Sequence, residues 1–322
     1  MTTRSNRRNF IQRASLLPLA AAAGTGGGVL SAVAGNAPAG NRDEDRRGGL
    51  KVSLNGYCFN TSLLPAAGGG KPAMTLFDVL DFCAKYNFDA IDPTGYYFPG
   101  YPQVPPDSFL YDFKRHAFKL GVAISGTGIR NNFASPDQAQ RAADVQLVKD
   151  WIDVAAKLGA PVIRVFAGAE PAGHTRDEVD AWMAADLKQC VEHGRQHGVL
   201  VGIQNHGDYL KTADQVLRII KLVDSDWFGA IVDTGNFQSQ DPYAEIAKVV
   251  PAAVNFQVKE SPYGRASAVR MDVNRLVQVV RAGGYRGYLP IETLVTPNQP
   301  YNPLVTVPRF LQEVRSAIDQ NG

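Results

Sequence analysis

Cysteine and histidine are scarce in this chain of 322 residues, which has three of the first and five of the second. Cys58, Cys83 and Cys190 are widely scattered and form no Cys-x-x-Cys pair. That spacing argues against a disulfide framework and a structural zinc site, and leaves buried thiols as the reading. A Gly-rich phosphate loop is missing too. Gly68-Gly69-Gly70-Lys71 fails as one because Pro72 stands where Ser or Thr is required. There is no excess of either charge, with 33 Lys+Arg against 31 Asp+Glu, so nothing calls for nucleic acid or an anionic membrane.

The N-terminus differs from the rest. Residues 1–34 carry Arg4, Arg7, Arg8 and Arg13 and no acidic residue. The apolar stretch from Leu16 to Ala23 is too short and too rich in Ala to span a bilayer. Ala32-Val33-Ala34 supplies the small–x–small pattern of a signal-peptidase site. The run Asn6-Arg7-Arg8-Asn9-Phe10-Ile11-Gln12 resembles a twin-arginine export signal, with an Arg pair ahead of large apolar residues. The expectation is a cleaved signal at 1–34 and a periplasmic or otherwise exported product with no membrane insertion afterwards. Removing the four arginines leaves 29 basic against 31 acidic residues, a mature chain near −2. Residues 35–50 are polar, charged and Gly-rich and read as a flexible linker.

From Lys51 onward short apolar runs alternate with segments of helical periodicity, the pattern of repeated βα units. The runs are Lys51–Tyr57, Ala90–Asp92, Gly121–Gly126, Val162–Ala167, Leu200–Gln204, Phe228–Asp233, Val254–Lys259 and Tyr288–Glu292. Leu76, Val79, Leu80 and Cys83 share one helical face, as do Val145, Val148, Ile152 and Ala155. Ser135 and Thr175 read as helix N-caps. Eight such units over about 270 residues predict a single (β/α)8 barrel, a TIM barrel, across residues 51–322.

In that fold chemistry sits at the C-terminal ends of the strands, so interior strands should be apolar until their last residues. Gln204, Asp233, Gln257 and Glu292 each follow β-forming residues near the ends of four successive runs. Alternation across a strand puts Gln257 and Lys259 on one face, and Gln204 and His206 likewise. Two carboxylates and two amide oxygens suit a hard divalent cation, Mg²⁺ or Mn²⁺, better than zinc.

At these residues the sequence resembles the xylose-isomerase-like barrel superfamily, and within it the sugar phosphate isomerase/epimerase group, over about residues 51–318. The motifs are Ile203-Gln204-Asn205-His206-Gly207, Val232-Asp233-Thr234-Gly235-Asn236-Phe237, Gln257-Val258-Lys259-Glu260 and Ile291-Glu292. The resemblance implies one divalent metal held by a Glu, an Asp, a His and a Glu. Asp233 and Glu292 match that set, whereas Gln204 replaces the first Glu and Gln257 the His. Related epimerases use two metal-bound glutamates as opposed bases, and Gln204 cannot take a proton. Acid–base work then falls to Glu292, His206, Lys259 or Glu260. Arg164, Tyr96, Asn205 and Asn236 are the candidates for binding substrate oxygens or stacking on a sugar ring.

The leading expectation is a metal-dependent isomerase or epimerase acting on a small carbohydrate. A metal-dependent lyase or dehydratase of a keto-sugar or 3-keto-glycoside is second, because elimination needs only one base. A non-catalytic carbohydrate-binding protein is third, and a DNA-repair endonuclease of the same superfamily is last for want of metal-binding histidines. Export weakens the phosphate part of the group's name. A homo-oligomer is compatible with the sequence.

Overall fold

The computed structural model describes residues 49–322 apart from 66–68, 207–208 and 298–299. The signal expected at 1–34, and the linker up to residue 48, lie outside the described residues. Among the described residues there are nine strands, separated by helices except between the third and fourth: β1 Lys51–Asn55, β2 Ala90–Asp92, β3 Ala123–Ile124, β4 Thr127–Gly128, β5 Val162–Phe166, β6 Leu200–Gln204, β7 Phe228–Asp233, β8 Ala253–Lys259 and β9 Tyr288–Glu292. All of their pairings are parallel. Their order is β3-β2-β1-β9-β8-β7-β6-β5-β4, a nearly closed TIM barrel.

The two outermost strands of that order, β3 and β4, are the halves of one stave broken at Ser125-Gly126. The expected third run, Gly121–Gly126, therefore starts later and continues past its break. The break has a steric cause. A Cβ at Gly126 would lie 3.0 Å from both Asn255 Nδ2 and Asp92 Oδ2, so only glycine passes there without displacing a neighbour. The first run also ends early, at Asn55, whose Oδ1 accepts the Tyr57 amide and turns the chain into a 3-10 segment.

The outer layer is formed by α1 Asn60–Leu63, α2 Leu76–Lys85, α3 Asp107–Lys119, α4 Gln138–Leu158, α5 Arg176–His197, α6 Ala213–Val223, α7 Pro242–Val249, α8 Val273–Ala282 and α9 Pro303–Gln320. Thr75, Thr175 and Thr212 start α2, α5 and α6 with reciprocal capping boxes. The cap of α4 is Asp137 and not Ser135. Asp137 Oδ1 accepts the Ala139 and Gln140 amides, while Ser135 Oγ accepts the Asp137 amide. No described helix is long and apolar enough to cross a membrane.

The strand interiors are not apolar up to their tips. Ser53, Ser125, Asn255 and Asp92 form a buried polar layer beneath the mouth. Ser53 and Ser125 share a hydrogen bond of 2.7 Å, and Asn255 Nδ2 donates to the Ser125 carbonyl at 3.3 Å. Buried polar groups persist where they satisfy one another. Cys58, Cys83 and Cys190 are buried free thiols.

Candidate active site

The C-terminal tips of β6 to β9 converge on the floor of a cavity of about 770 Å³ at the barrel mouth. Parallel pairing sets Asp233 beside Gln257 and Lys259 beside Glu292. Because side chains alternate, Gln257 and Lys259 both face inward. Gln204, Asp233 and Gln257 meet directly, and Glu292 joins them through Lys259. Gln204 Nε2 donates to Asp233 Oδ2 at 2.6 Å and to Gln257 Oε1 at 2.7 Å. Lys259 Nζ lies 3.4 Å from Asp233 Oδ2 and is in close ion-pair contact with Glu292 Oε1. Asp233 Oδ1 accepts the Gly235 amide at 3.0 Å.

The lysine is built in by its surroundings. Its backbone amide donates to Thr234 Oγ1 at 2.9 Å. A Cβ at Gly235 would fall 2.7 Å from Lys259 Cγ and 2.9 Å from its Cβ, so the glycine makes the groove in which the stem lies. Burial opposes the charge of Lys259, but Asp233 and Glu292 outweigh it and hold its pKa above the ordinary lysine value. Burial pushes the Asp233 carboxyl up while Lys259 pulls it down.

Arg164 forms the opposite wall. It donates to Tyr96 Oη at 2.6 Å and to the Ile129 carbonyl at 3.3 Å, with its guanidinium 4.1 Å from the centre of the Phe166 ring. Phe166 in turn meets His206 edge to face at 4.9 Å. A Cβ at Gly128 would lie 2.6 Å from Arg164 Nε. Glycine there makes room for the arginine. Asp92 sits below, its carboxyl pushed up to about 7 by burial, with Arg164 pulling down and Glu292 adding to the rise.

Two expected site residues have other duties. Asn205 is buried and does not line the cavity. Its Nδ2 donates to the Asp233 carbonyl at 2.9 Å and its Oδ1 accepts the Asp233 amide at 2.7 Å, clamping β6 to β7. Asn205 therefore positions Asp233 from outside the cavity. Glu260 is turned to the rim, where Arg270 and Arg309 neutralise it at 3.2 and 3.6 Å. It lines the cavity there, between the two arginines. Glu292, Lys259, His206, Arg164, Tyr96 and Asn236 all line the cavity. The cavity also has walls that sequence spacing did not signal. They are the loop from Tyr263 to Arg270, with Arg309, and Tyr301, whose hydroxyl bonds Thr293 Oγ1 at 2.7 Å.

Among the described residues, the group of carboxylate and imidazole atoms that lie close enough for a metal is Asp153, His193 and His197, on the outer helices α4 and α5. It is remote from the strand tips.

A family model described as "Xylose isomerase-like TIM barrel" matches residues 80–313. Among solved structures, an L-ribulose 3-epimerase superposes with a TM-score of 0.68 at 18% identity, covering 84% of this chain and 96% of that one. An E. coli 3-keto-D-glucoside 4-epimerase gives 0.66 at 12%, over 83% and 99%. A D-psicose 3-epimerase from Clostridium cellulolyticum H10, determined with D-tagatose, gives 0.66 at 17%, over 84% and 98%. These likenesses establish a shared fold. A search of curated proteins gave no match.

Proposed function

The chain belongs to the xylose isomerase-like TIM barrel family, and from that premise we propose that it is a carbohydrate-acting isomerase or epimerase. Its substrate is a sugar or keto-sugar, and the intermediate is of the enediolate type. One observation carries this reading: Glu292 places one carboxylate oxygen on Lys259, and its other oxygen has no partner among the described residues. It stands at the floor of a sugar-sized cavity. A carboxylate with a free oxygen beside a fixed ammonium can take a proton from the carbon next to a carbonyl. The negative charge then develops on oxygen, where a fixed cation is worth most. Tyr96 and Phe166 supply ring faces, and Arg164 and Asn236 supply donors to hydroxyls. The structural neighbours named above are sugar epimerases, which supports the substrate class.

The resemblance also implies a divalent ion, and the residues present do not fit one. Of the oxygens that should face it, Asp233 Oδ2 and Gln257 Oε1 already accept from the Gln204 amide, and Glu292 Oε1 from Lys259. The Gln204 Oε1 atom is buried without a partner and is the one unclaimed amide oxygen of the pair. Arg164 and Lys259 together balance Asp233 and Glu292. Two unit charges 4 Å apart interact by about 4 kcal/mol at an effective dielectric of 20, and a divalent ion doubles that repulsion with Lys259. No step here passes through a metal.

Gln204 shapes the chemistry further. It cannot accept a proton, so of the two opposed glutamates that the resemblance implies only Glu292 remains as a base. That suits proton removal and return on the same face, as in aldose–ketose isomerisation. The same observation favours a second reading, a lyase of 3-keto-glycosides, in which the proton beside the carbonyl leaves and a leaving group departs from the next carbon. Mass spectrometry on a panel of sugars and 3-keto-glycosides separates them: isomerisation conserves formula, elimination does not. A panel that binds without any turnover would make the protein a carbohydrate-binding module instead. Export belongs to the proposal as well, resting on Arg7, Arg8 and Ala32-Val33-Ala34. Cell fractionation with Arg7→Lys and Arg8→Lys together tests it, and retention of periplasmic protein in that variant would count against the twin-arginine route.

A further inference from the structure

We infer that the Lys259 ammonium is the resident cation of this site, standing where the resemblance puts a divalent ion, so that the chain works without a metal. The inference rests on the carbohydrate reading only for what the cation does in turnover. Its position rests on geometry. Three strand tips deliver Asp233, Lys259 and Glu292 side by side, and the ammonium reaches both carboxylates. The groove at Gly235 holds the first carbons of the stem, and Thr234 fixes the backbone from which it starts, so the fold aims the ammonium at the two carboxylates. Both amide replacements serve the same arrangement. The Gln204 NH₂ donates one hydrogen to Asp233 Oδ2, the oxygen that also faces Lys259, and the other to Gln257. A glutamate at 204 would set its charge against Asp233 without that bond, and would need a stronger cation between them.

A lysine does what a metal does and one thing more. Glu292 takes the proton from the carbon beside the carbonyl, and the C–H electron pair moves through the new C=C bond onto the carbonyl oxygen. Lys259 gives that oxygen a proton, leaving a neutral enediol. It then recovers a proton from the neighbouring hydroxyl as that oxygen becomes the new carbonyl, and Glu292 returns its proton to the adjacent carbon. Carbon protons travel on Glu292 and oxygen protons on Lys259. The balance closes without a co-reactant.

The test is Mn²⁺ binding, followed by electron paramagnetic resonance on the full chain after chelation, in a His193→Ala, His197→Ala background so that the outer group takes no ion. The expected result is no stoichiometric Mn²⁺ in that parent, and turnover unchanged by chelator. Replacing Lys259 by Met should raise Mn²⁺ affinity on the order of a hundredfold or more, because the repelling charge is gone. Adding Glu292→Gln should abolish that gain, and Lys259→Arg, which keeps the charge, should show none. Stoichiometric Mn²⁺ in the parent, lost on Glu292→Gln, would overturn the inference, as would a Lys259→Met chain that gains nothing. If Lys259→Met does not fold, the parent titration decides alone. Binding is read without substrate, so a sugar panel with no turnover sinks the functional reading and leaves this result standing.

Discussion

Two clusters of charged side chains in this protein invite opposite interpretations from distance alone. On the outside, His193 Nε2 and His197 Nε2 lie 2.8 and 3.4 Å from Asp153 Oδ1, and the two rings stack at 4.2 Å. At the barrel mouth, Asp233, Lys259 and Glu292 are as close, but one member is itself a cation. Ligand spacing favours the first as a place for an ion. Surroundings favour the second as a place for chemistry. The outer groups stand on helix flanks in water, where charges are screened and side chains turn freely. The inner ones are almost wholly buried, are held by strand register and a glycine groove, and cannot relax away from each other.

The largest effect that sharpens this contrast is expected from Glu292→Gln. The amide keeps the shape and loses the base, so kcat should fall about 10³-fold with a smaller change in KM, measured on whichever panel substrate turns over. A fall of less than tenfold would move the base elsewhere. Asp92 gives the next effect, through pH. Its carboxyl is raised from 3.8 to about 7 in the folded chain. Below pH 4 both states hold the proton; between there and 7 only the folded state keeps it, so stability declines as pH rises and levels off above 7. The full span is about 4 kcal/mol. Urea unfolding across pH 4 to 8 should show that decline, and Asp92→Asn should flatten it.

The inner cluster was legible in the sequence as far as period-two alternation reaches. Gln204, Asp233, Gln257 and Glu292 end β-forming runs at matching places, and they converge. The placement of Lys259 was not legible, since alternation gives its face but not the path of its stem over Gly235 to two carboxylates on other strands. Asn205 lies outside the cavity for a definable reason. It sits one residue beyond the inward-facing Gln204, and the same alternation turns it away from the cavity, which membership of a motif does not show. The break in the third stave depends on a contact between Gly126 and residues of three other strands, which no local pattern encodes. The outer group leaves no local trace in the sequence, because Asp153 and the two histidines stand on α4 and α5, which meet only in the folded ring.

Asn205 tests that parity lesson. Asn205→Ala removes both bonds to the Asp233 backbone and leaves a buried amide and carbonyl unpaired, an expected loss of about 2–4 kcal/mol by urea unfolding. KM should change little, since the side chain does not reach the cavity. A raised KM with unchanged stability would restore it as a substrate-binding residue.

The smallest effect is expected where the atoms look most like a metal site. Removing both outer imidazoles, His193→Ala with His197→Ala, should shift stability by no more than about 1 kcal/mol, the range of partly exposed ion pairs, and leave kcat unchanged. The reason is the freedom of the partners. Asp153 is nearly half exposed and returns to water when the imidazoles go, whereas Asp233 has no water to return to. The same double substitution would cost far more if an ion bound there joined α4 to α5. Adding Zn²⁺ to the unsubstituted chain would then raise its melting temperature, and the double variant would lose that rise. Equal melting temperatures with and without Zn²⁺ would leave the barrel mouth as the place where charge is arranged for work.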